Sequence, residues 1–476
     1  MRAYILLAGV AVLSGCASLQ TTSQPMAPPS PERPAEWQQG ELGVVPPTGD
    51  WVTGLNDPVM SALIKEALAN NPDISATYAR VEAARANAEA VYGRSLPSVS
   101  ATGGANWNST VAEVGSSTIR NDAPNFSLSA VASWEPDLWG RIGAGVAAAE
   151  ADLAASEADF AAARLSLAGR TAIAWLQLND AVRQEALAEA TKEARARTLS
   201  LTERRFRNGL VDALDVRLAR SALASSEAAL LARQQQSGQA RRAIEILLGR
   251  YPSNELEANP EQAVLPELSG AGDPTSLLSR RPDIAAAEAR IAAAGFRVDQ
   301  ARLALRPSLS LSATLSSSDD DLANLIDPSY LATRLASSLT APLFNGGALN
   351  ANIEAAEAQA RITSFNYVSS VLAAWKEVED TIAADGYLAD QVAAQSRAFD
   401  EALAAEQLAE RQYQNGLATI FNLIDSQTRR INAEASLISI QSTRAINRVQ
   451  FHMALGGNIP GAELASSTTG SEGSET

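Results

Sequence analysis

Histidine and cysteine are almost missing from this sequence, which holds one of each, His452 and Cys16, in 476 residues. A Ser-His-Asp or Cys-His device would have to be built on His452, and a Cys/His zinc site lacks ligands. No catalytic constellation, no metal site and no cofactor is therefore expected. His452 itself, in RVQFHMALGG, reads as a partly buried side chain near a helix C-terminus. Basic charge is also short: 38 Lys and Arg stand against 54 Asp and Glu, a formal net charge of −16. Nucleic acid needs a basic patch and is excluded as a partner, whereas an acidic surface or lumen favours cations. Aromatics make up only 5% and much of the hydrophobic content is alanine, which favours long, closely packed helices over a bulky core. Proline is absent from residues 144–207 and 348–414. Helical throughout, each run would be about 95–100 Å long and would need coiled-coil-like partners.

Long apolar runs are missing too. The stretch from Tyr4 to Leu13 is too short to span a bilayer and suits the h-region of a signal peptide. It ends in Leu13-Ser14-Gly15-Cys16, which resembles a bacterial lipoprotein signal, with residues 1–15 removed and Cys16 lipidated. Ala17 in place of an aspartate fits sorting to the outer membrane, where the chains on Cys16 would insert into outer-membrane lipid. Residues 16–50 are then a lipidated N-terminal arm, Pro-rich and polar between Pro25 and Pro47. Residues 458–476 read as a disordered tail.

What the chain does have is a plan written twice. Asn71-Pro72-Asp73-Ile74 and Arg281-Pro282-Asp283-Ile284 both look like helix starts, with proline at the first helical position and an acid after it. They lie 210 residues apart, whereas Pro136 and Pro342 are 206 apart and Gly249 and Gly456 are 207 apart. The copies are a first repeat at 51–250 and a second at 274–457, separated by a linker, or equatorial segment, at 251–273. Each holds a helix, a pair of alternating strand-like runs (98–135 and 308–341) and a long helical hairpin. Val99, Ala101, Gly103, Ala105 and Trp107 alternate with Ser98, Ser100, Thr102, Gly104 and Asn106, and Phe126 to Trp134 repeats the pattern. Leu309, Leu311, Ala313 and Leu315 continue it, and Leu331, Leu335 and Leu339 mark a less regular fourth run. Alternating runs of about ten residues suit membrane β-barrel strands. Residues 109–124 and 316–329 are expected to be exposed loops.

Four strands cannot close a barrel, and an open edge cannot face lipid. Copies of the chain must pool strands: two would give eight, three would give twelve with a lumen, and counting does not choose. Trp107, Trp134 and Trp139 suit an interfacial aromatic belt, with core packing equally open for Trp139.

Each helical hairpin has the same tip. Phe206-Arg207-Asn208-Gly209-Leu210 matches Tyr413-Gln414-Asn415-Gly416-Leu417, and Asn-Gly is a turn signal because both residues tolerate positive φ. These tips are taken as the working end. The duplicated plan, Trp134-Glu135-Pro136-Asp137-Leu138-Trp139-Gly140-Arg141, the two tips and Leu423-Ile424-Asp425-Ser426-Gln427 together resemble the TolC/OprM-like outer-membrane efflux proteins, in their lipoprotein branch. The resemblance covers the chain from about Trp51 to Gly457.

The resemblance implies a membrane β-barrel plus a long α-helical barrel, with four strands and long coiled-coil-like helices per protomer, closed as a homotrimer. It implies docking of a periplasmic membrane-fusion adaptor at tips containing Gly209, Leu210, Gly416 and Leu417, and through it an inner-membrane RND-type pump. The protein would be a passive outer-membrane duct for small toxic compounds, drugs and solvents with metal ions also open, and not an enzyme. The aspartate lining the closed periplasmic gate matches Asp425, the apolar residue one turn earlier matches Phe421, and the tyrosine before the second tip matches Tyr413. Three Asp425 carboxylates would repel one another and attract cations, and three Phe421 rings would exclude water. A tip arginine that locks the closed state in TolC falls on Ala418, so that lock is absent or different, and a second aspartate ring falls on Asn422. Asp212 and Asp215 of the first tip are read as ordinary first-turn acids. Two other readings stay open: a duct for protein secretion by an ATP-driven exporter, and a non-conducting periplasmic coiled-coil scaffold.

Overall fold

The computed structural model describes residues 34, 37, 38, 51–115, 117–258, 268 and 270–457. The signal peptide, Cys16, most of the arm and the tail lie outside them. The described elements come in one order twice. A short helix α1 (Trp51–Gly54) leads to α2 (Pro58–Asn70), α3 (Pro72–Gly93), β1 (Ser98–Val114), β2 (Ser117–Trp134), α4 (Arg141–Arg207) and α5 (Ala213–Leu247). Then follow α6 (Pro274–Arg280), α7 (Pro282–Leu303), β3 (Ser308–Asp319), β4 (Ala332–Thr340), α8 (Ala348–Gln414) and α9 (Ile420–Ala454). Matched helices have equal lengths: 22 residues in α3 and α7, 67 in α4 and α8, and 35 in α5 and α9. At 1.5 Å per residue, α4 and α8 are each about 100 Å long. No helix among the described residues is long and apolar enough to cross a membrane.

The chain divides into two compact units. One holds residues 80–157 and 286–368, the other 158–285 and 369–457 together with 51–79. The first unit contains one antiparallel sheet in the order β1-β2-β3-β4. Its register keeps the alternation in phase: Val99 faces Ala132, Gly103 faces Leu128, Ala130 faces Leu315, Ala132 faces Ala313, and Ala313 faces Leu335. Apolar side chains therefore share one face and hydroxyls the other. The apolar side chains are uncovered, with Val99, Trp107, Leu335 and Leu339 at 75%, 69%, 84% and 68% exposure. β1 and β4 have no partner on their outer edges within the described residues.

One expected loop is not a loop. Residues 109–124 continue the β1–β2 ladder, through Ser109 opposite Asp122 to Val114 opposite Ser117. Thr110 and Val111 are β-branched and favour extended backbone, and Gly115 at φ +67° provides the left-handed residue a tight reversal requires. The expected loop at 316–329 is a strand to Asp319 and then two 3-10 turns, Leu322–Ile326 and Pro328–Tyr330. β4 starts at Ala332, so Leu331 falls outside it while Leu335 and Leu339 share its apolar face.

The strand-to-helix corner at Trp134–Arg141 is held by side chains of its own motif. Arg141 donates to Glu135 at 2.7 Å and the Asp137 carboxylate accepts from the Gly143 N–H at the start of α4. Trp139 is half-buried and its indole N–H donates to the Pro307 carbonyl at 2.7 Å.

The core of the second unit gathers Trp51, Met60, Ile64, Leu167, Trp175, Leu178, Ile244 and Leu248. Trp175 is fully buried and its N–H reaches the Asp57 carboxylate, which also caps α2. Gly249 and Gly456 end α5 and α9 at φ +73° and +71°. A Cβ there would stand 2.5 Å from the Asn70 carbonyl oxygen and 3.0 Å from that of Arg280, so both glycines permit a backbone approach that no other residue allows. His452 is half-buried, as the sequence suggested; it stacks 6.0 Å from Trp51 and its buried Nδ1 has no hydrogen-bond partner among the described residues. Burial, assisted by Arg448, lowers its pKa to about 4, so it is neutral at pH 7.

Candidate functional site

Both tips are helix C-caps and not hairpin turns. After α4, the Gly209 N–H donates to the Phe206 carbonyl and the Leu210 N–H to the Arg205 carbonyl; after α8, Gly416 and Leu417 repeat this on Tyr413 and Gln412. Only the glycines are left-handed, at φ +73° and +77°; Asn208 and Asn415 are not. The chain then re-enters helix through side-chain caps, Asp212 accepting from the Asp215 N–H and Thr419 from the Asn422 N–H. Of the two acids read as first-turn residues, Asp215 is in the first turn of α5, whereas Asp212 precedes it as the N-cap. Leu210 and Leu417 project into solvent at 65% and 79% exposure.

Tyr413 does not face solvent. It is 1% exposed, packed with Ile420 and Leu423 against Leu201 and Leu218 of the first hairpin. Its hydroxyl shares a 2.8 Å hydrogen bond with Thr202 on α4. Arg205, also on α4, stands with its guanidinium carbon 4.9 Å from the Tyr413 ring centroid and donates from Nη1 to the Tyr413 carbonyl. That carbonyl lies at the C-terminal end of α8, where the helix dipole favours a cation. A cation therefore does clamp this tip although Ala418 cannot supply one; it comes from the other hairpin. A Cβ on Gly416 would lie 3.3 Å from Arg205 Nη2, so glycine also leaves room for the clamp.

Phe421 and Asp425 sit one turn apart on the outer side of α9, at 70% exposure for the phenylalanine. Asp425 is not alone, since Arg429 donates to it at 2.8 Å in an exposed i,i+4 pair. Further from the tip, Arg195 of α4 is buried and donates to Gln427 Oε1 at 2.6 Å and Thr428 Oγ1 at 2.9 Å. Gln427 in turn donates to Thr198 at 3.2 Å.

The structure thus brings Tyr413 together with Thr202 and Arg205, and leaves Phe421, Asp425, Leu210 and Leu417 at the surface of the protomer. Reading the sequence picked out none of Arg205, Thr202 and Arg195. The signal for Arg205 was its place in the last turn before Asn-Gly-Leu. For Thr198 and Thr202 it was an i,i+4 pair of hydroxyls in an alanine-rich helix.

A family model described as "Outer membrane efflux protein" matches residues 63–250 and 274–457. The pyoverdine export outer membrane protein OpmQ of Pseudomonas aeruginosa is 31% identical over 413 residues, covering 86% of this chain and 87% of its own. The cation efflux system protein CusC of Escherichia coli is 28% identical over 452 residues, 94% of this chain and 97% of its own. Among solved structures, the outer-membrane channel OprN superposes with a TM-score of 0.79 at 27% identity, covering 93% of this chain and 99% of that one.

Proposed function

The chain belongs to the outer membrane efflux protein family, and from that premise we propose that it closes as a homotrimer into the exit duct of a tripartite efflux system. It is an outer-membrane efflux channel and not an enzyme. The observation that carries the trimer is the four-stranded sheet with an uncovered apolar face and two unpaired edges. In lipid each unpaired backbone group costs several kcal/mol, and only pairing between copies removes the edges. Twelve strands from three chains leave an aqueous lumen, whereas eight from two would be filled by side chains. Lipid on Cys16 would tether the arm beside the barrel.

The helical tips form the periplasmic gate in this reading. Phe421 from each chain makes an apolar ring and Asp425, shared with Arg429, an acidic one nearby. The clamp of Arg205 and Thr202 on Tyr413 favours the resting arrangement. Opening therefore requires a partner that binds the open tips better, which is the role of a periplasmic adaptor seated on Leu210 and Leu417. The adaptor would couple the duct to an inner-membrane RND-type pump. The relatives are named for pyoverdine export and for cation efflux, so one duct architecture serves unlike cargo. The cargo here is small toxic compounds selected by the pump.

In-cell crosslinking from photoreactive probes at Leu210 and Leu417, followed by mass spectrometry, tests this. Capture of a periplasmic adaptor together with a proton-driven pump is expected. Capture of an ATP-driven secretion exporter, or of no adaptor by a correctly assembled trimer, would overturn it.

A further inference from the structure

The contacts between α4 and the second hairpin change in kind along their length. At the tip Ile420 and Leu423 lie against Leu201 of α4 and Leu218 of α5, beside the clamp of Thr202 and Arg205 on Tyr413. Apolar contact is not directional and lets surfaces slide. Next comes a level where buried charge replaces it. Arg195 is 7% exposed and all of its hydrogen-bond partners, Gln427 Oε1, Thr428 Oγ1 and the Ile424 carbonyl, are neutral. At the same level Arg430 donates to Glu406 at 2.5 Å, tying α9 to α8, and both side chains are nearly buried at 12% and 13% exposure. Burial lowers the affinity of Arg195 for its proton, opposed by Glu406 and reinforced by Arg430. The three helices are thus joined at one height, α4 to α9 through Arg195 and α9 to α8 through Arg430. That height is about 12–18 Å from the tips, given eight residues from Glu406 to Gln414 and twelve from Arg195 to Arg207.

We propose that this brace is the fixed end of the gate: the tip beyond it moves, and α9 at Gln427 stays on α4. A planar guanidinium forked onto neutral acceptors fixes one geometry, and separating it would leave a buried charge without its hydrogen bonds. Between the brace and Gly416 the second hairpin is held to the first by apolar contact and by the clamp of Thr202 and the half-exposed Arg205 on Tyr413. The Phe421 ring then widens on opening, while Asp425, next to Ile424 in the brace, shifts little. This rests on the tip being the gate.

The test uses the full-length trimer in planar bilayers and needs no partner protein. Thr202→Val with Arg205→Ala removes the tip clamp and is expected to raise single-channel conductance several-fold. In that background Thr198→Cys and Gln427→Cys are joined by a short reducible bis-thiosulfonate linker, with the joined peptides verified by mass. The conductance is expected to stay raised. A return to the resting value that reductant reverses would overturn the brace as the fixed end. No rise on releasing the clamp would instead overturn the gate at the tip. Arg195→Met supplies a second readout: fast amide exchange, expected at 413–423 in the parent, is expected to spread through 427–435. Unchanged exchange there would also count against the brace.

Discussion

Arg205 and Tyr413 come from opposite helical hairpins and meet as a cation over a ring: the guanidinium carbon lies 4.9 Å from the ring centroid and a guanidinium nitrogen donates to the tyrosine's own carbonyl. One side chain thus caps a foreign helix and covers its last aromatic.

Loss of that relationship should loosen the tip. A hydrogen bond from a charged donor contributes about 1.5–3 kcal/mol, a tenfold or larger shift in a closed-to-open equilibrium. Arg205→Ala is expected to raise single-channel conductance and to sensitise cells to an antibiotic too large for ordinary porins. Tyr413→Phe, which loses only the bond to Thr202, should do so less. Identical, unchanged currents in both variants would show that the clamp does not hold the gate.

The two tip glycines should differ. Both need positive φ, but only Gly416 has a neighbour in reach, Arg205 Nη2 at 3.3 Å from a Cβ; Gly209 has none within 4 Å. A bulky charged residue at either position is expected to abolish efflux while leaving the trimer intact. At Gly416 it should also raise resting conductance, because it displaces Arg205. Normal drug resistance in these variants would remove the tips as the docking site.

Asp425→Ala is expected to raise conductance and weaken cation selectivity. Because Arg429 shares the carboxylate, the same change leaves an unpaired cation on that face, and reversal potentials should move toward anions. Arg429→Gln should move them the opposite way. Equal reversal potentials for parent and both variants would exclude this ring from the conduction path.

Acid should act through His452. Its folded pKa, about 4, is below the ordinary 6.5, so between those values the unfolded chain binds more protons than the folded one. Stability is then complete above pH 6.5, falls as the pH drops toward 4, and loses on the order of 2–3 kcal/mol. Thermal dissociation of the trimer, followed from pH 7 to 4, is expected to show this slope in the parent and a shallower one in His452→Leu. Equal slopes would mean that Trp51 stacking does not depend on a neutral imidazole.

Much of the architecture was legible because it rests on periodicity and punctuation. Helix α8 runs from Ala348 to Gln414, the stretch free of proline, and its one interior glycine, Gly386, does not break the i to i−4 ladder. The alternation at Val99–Trp107 fixed which side chains share a face, because a strand has a period of two. Where local cues were weak the reading failed. Residues 109–124 looked like a loop from their polar content, but the pairing of two adjacent strands extended the ladder through them. Asn208 and Asn415 looked like turn residues, but a helix end needs only one left-handed residue, and glycine took it.

By itself, then, the sequence determined the duplicated plan, the lengths of the long helices, the position of each tip and the lack of catalytic groups, all of which follow from neighbours in the chain. The tertiary structure alone decided what the tips are made of. Thr202 meets Tyr413 across 211 residues and Arg195 meets Gln427 across 232. No local pattern encodes such a meeting, because it depends on how two long helices are rotated about their own axes when they pack.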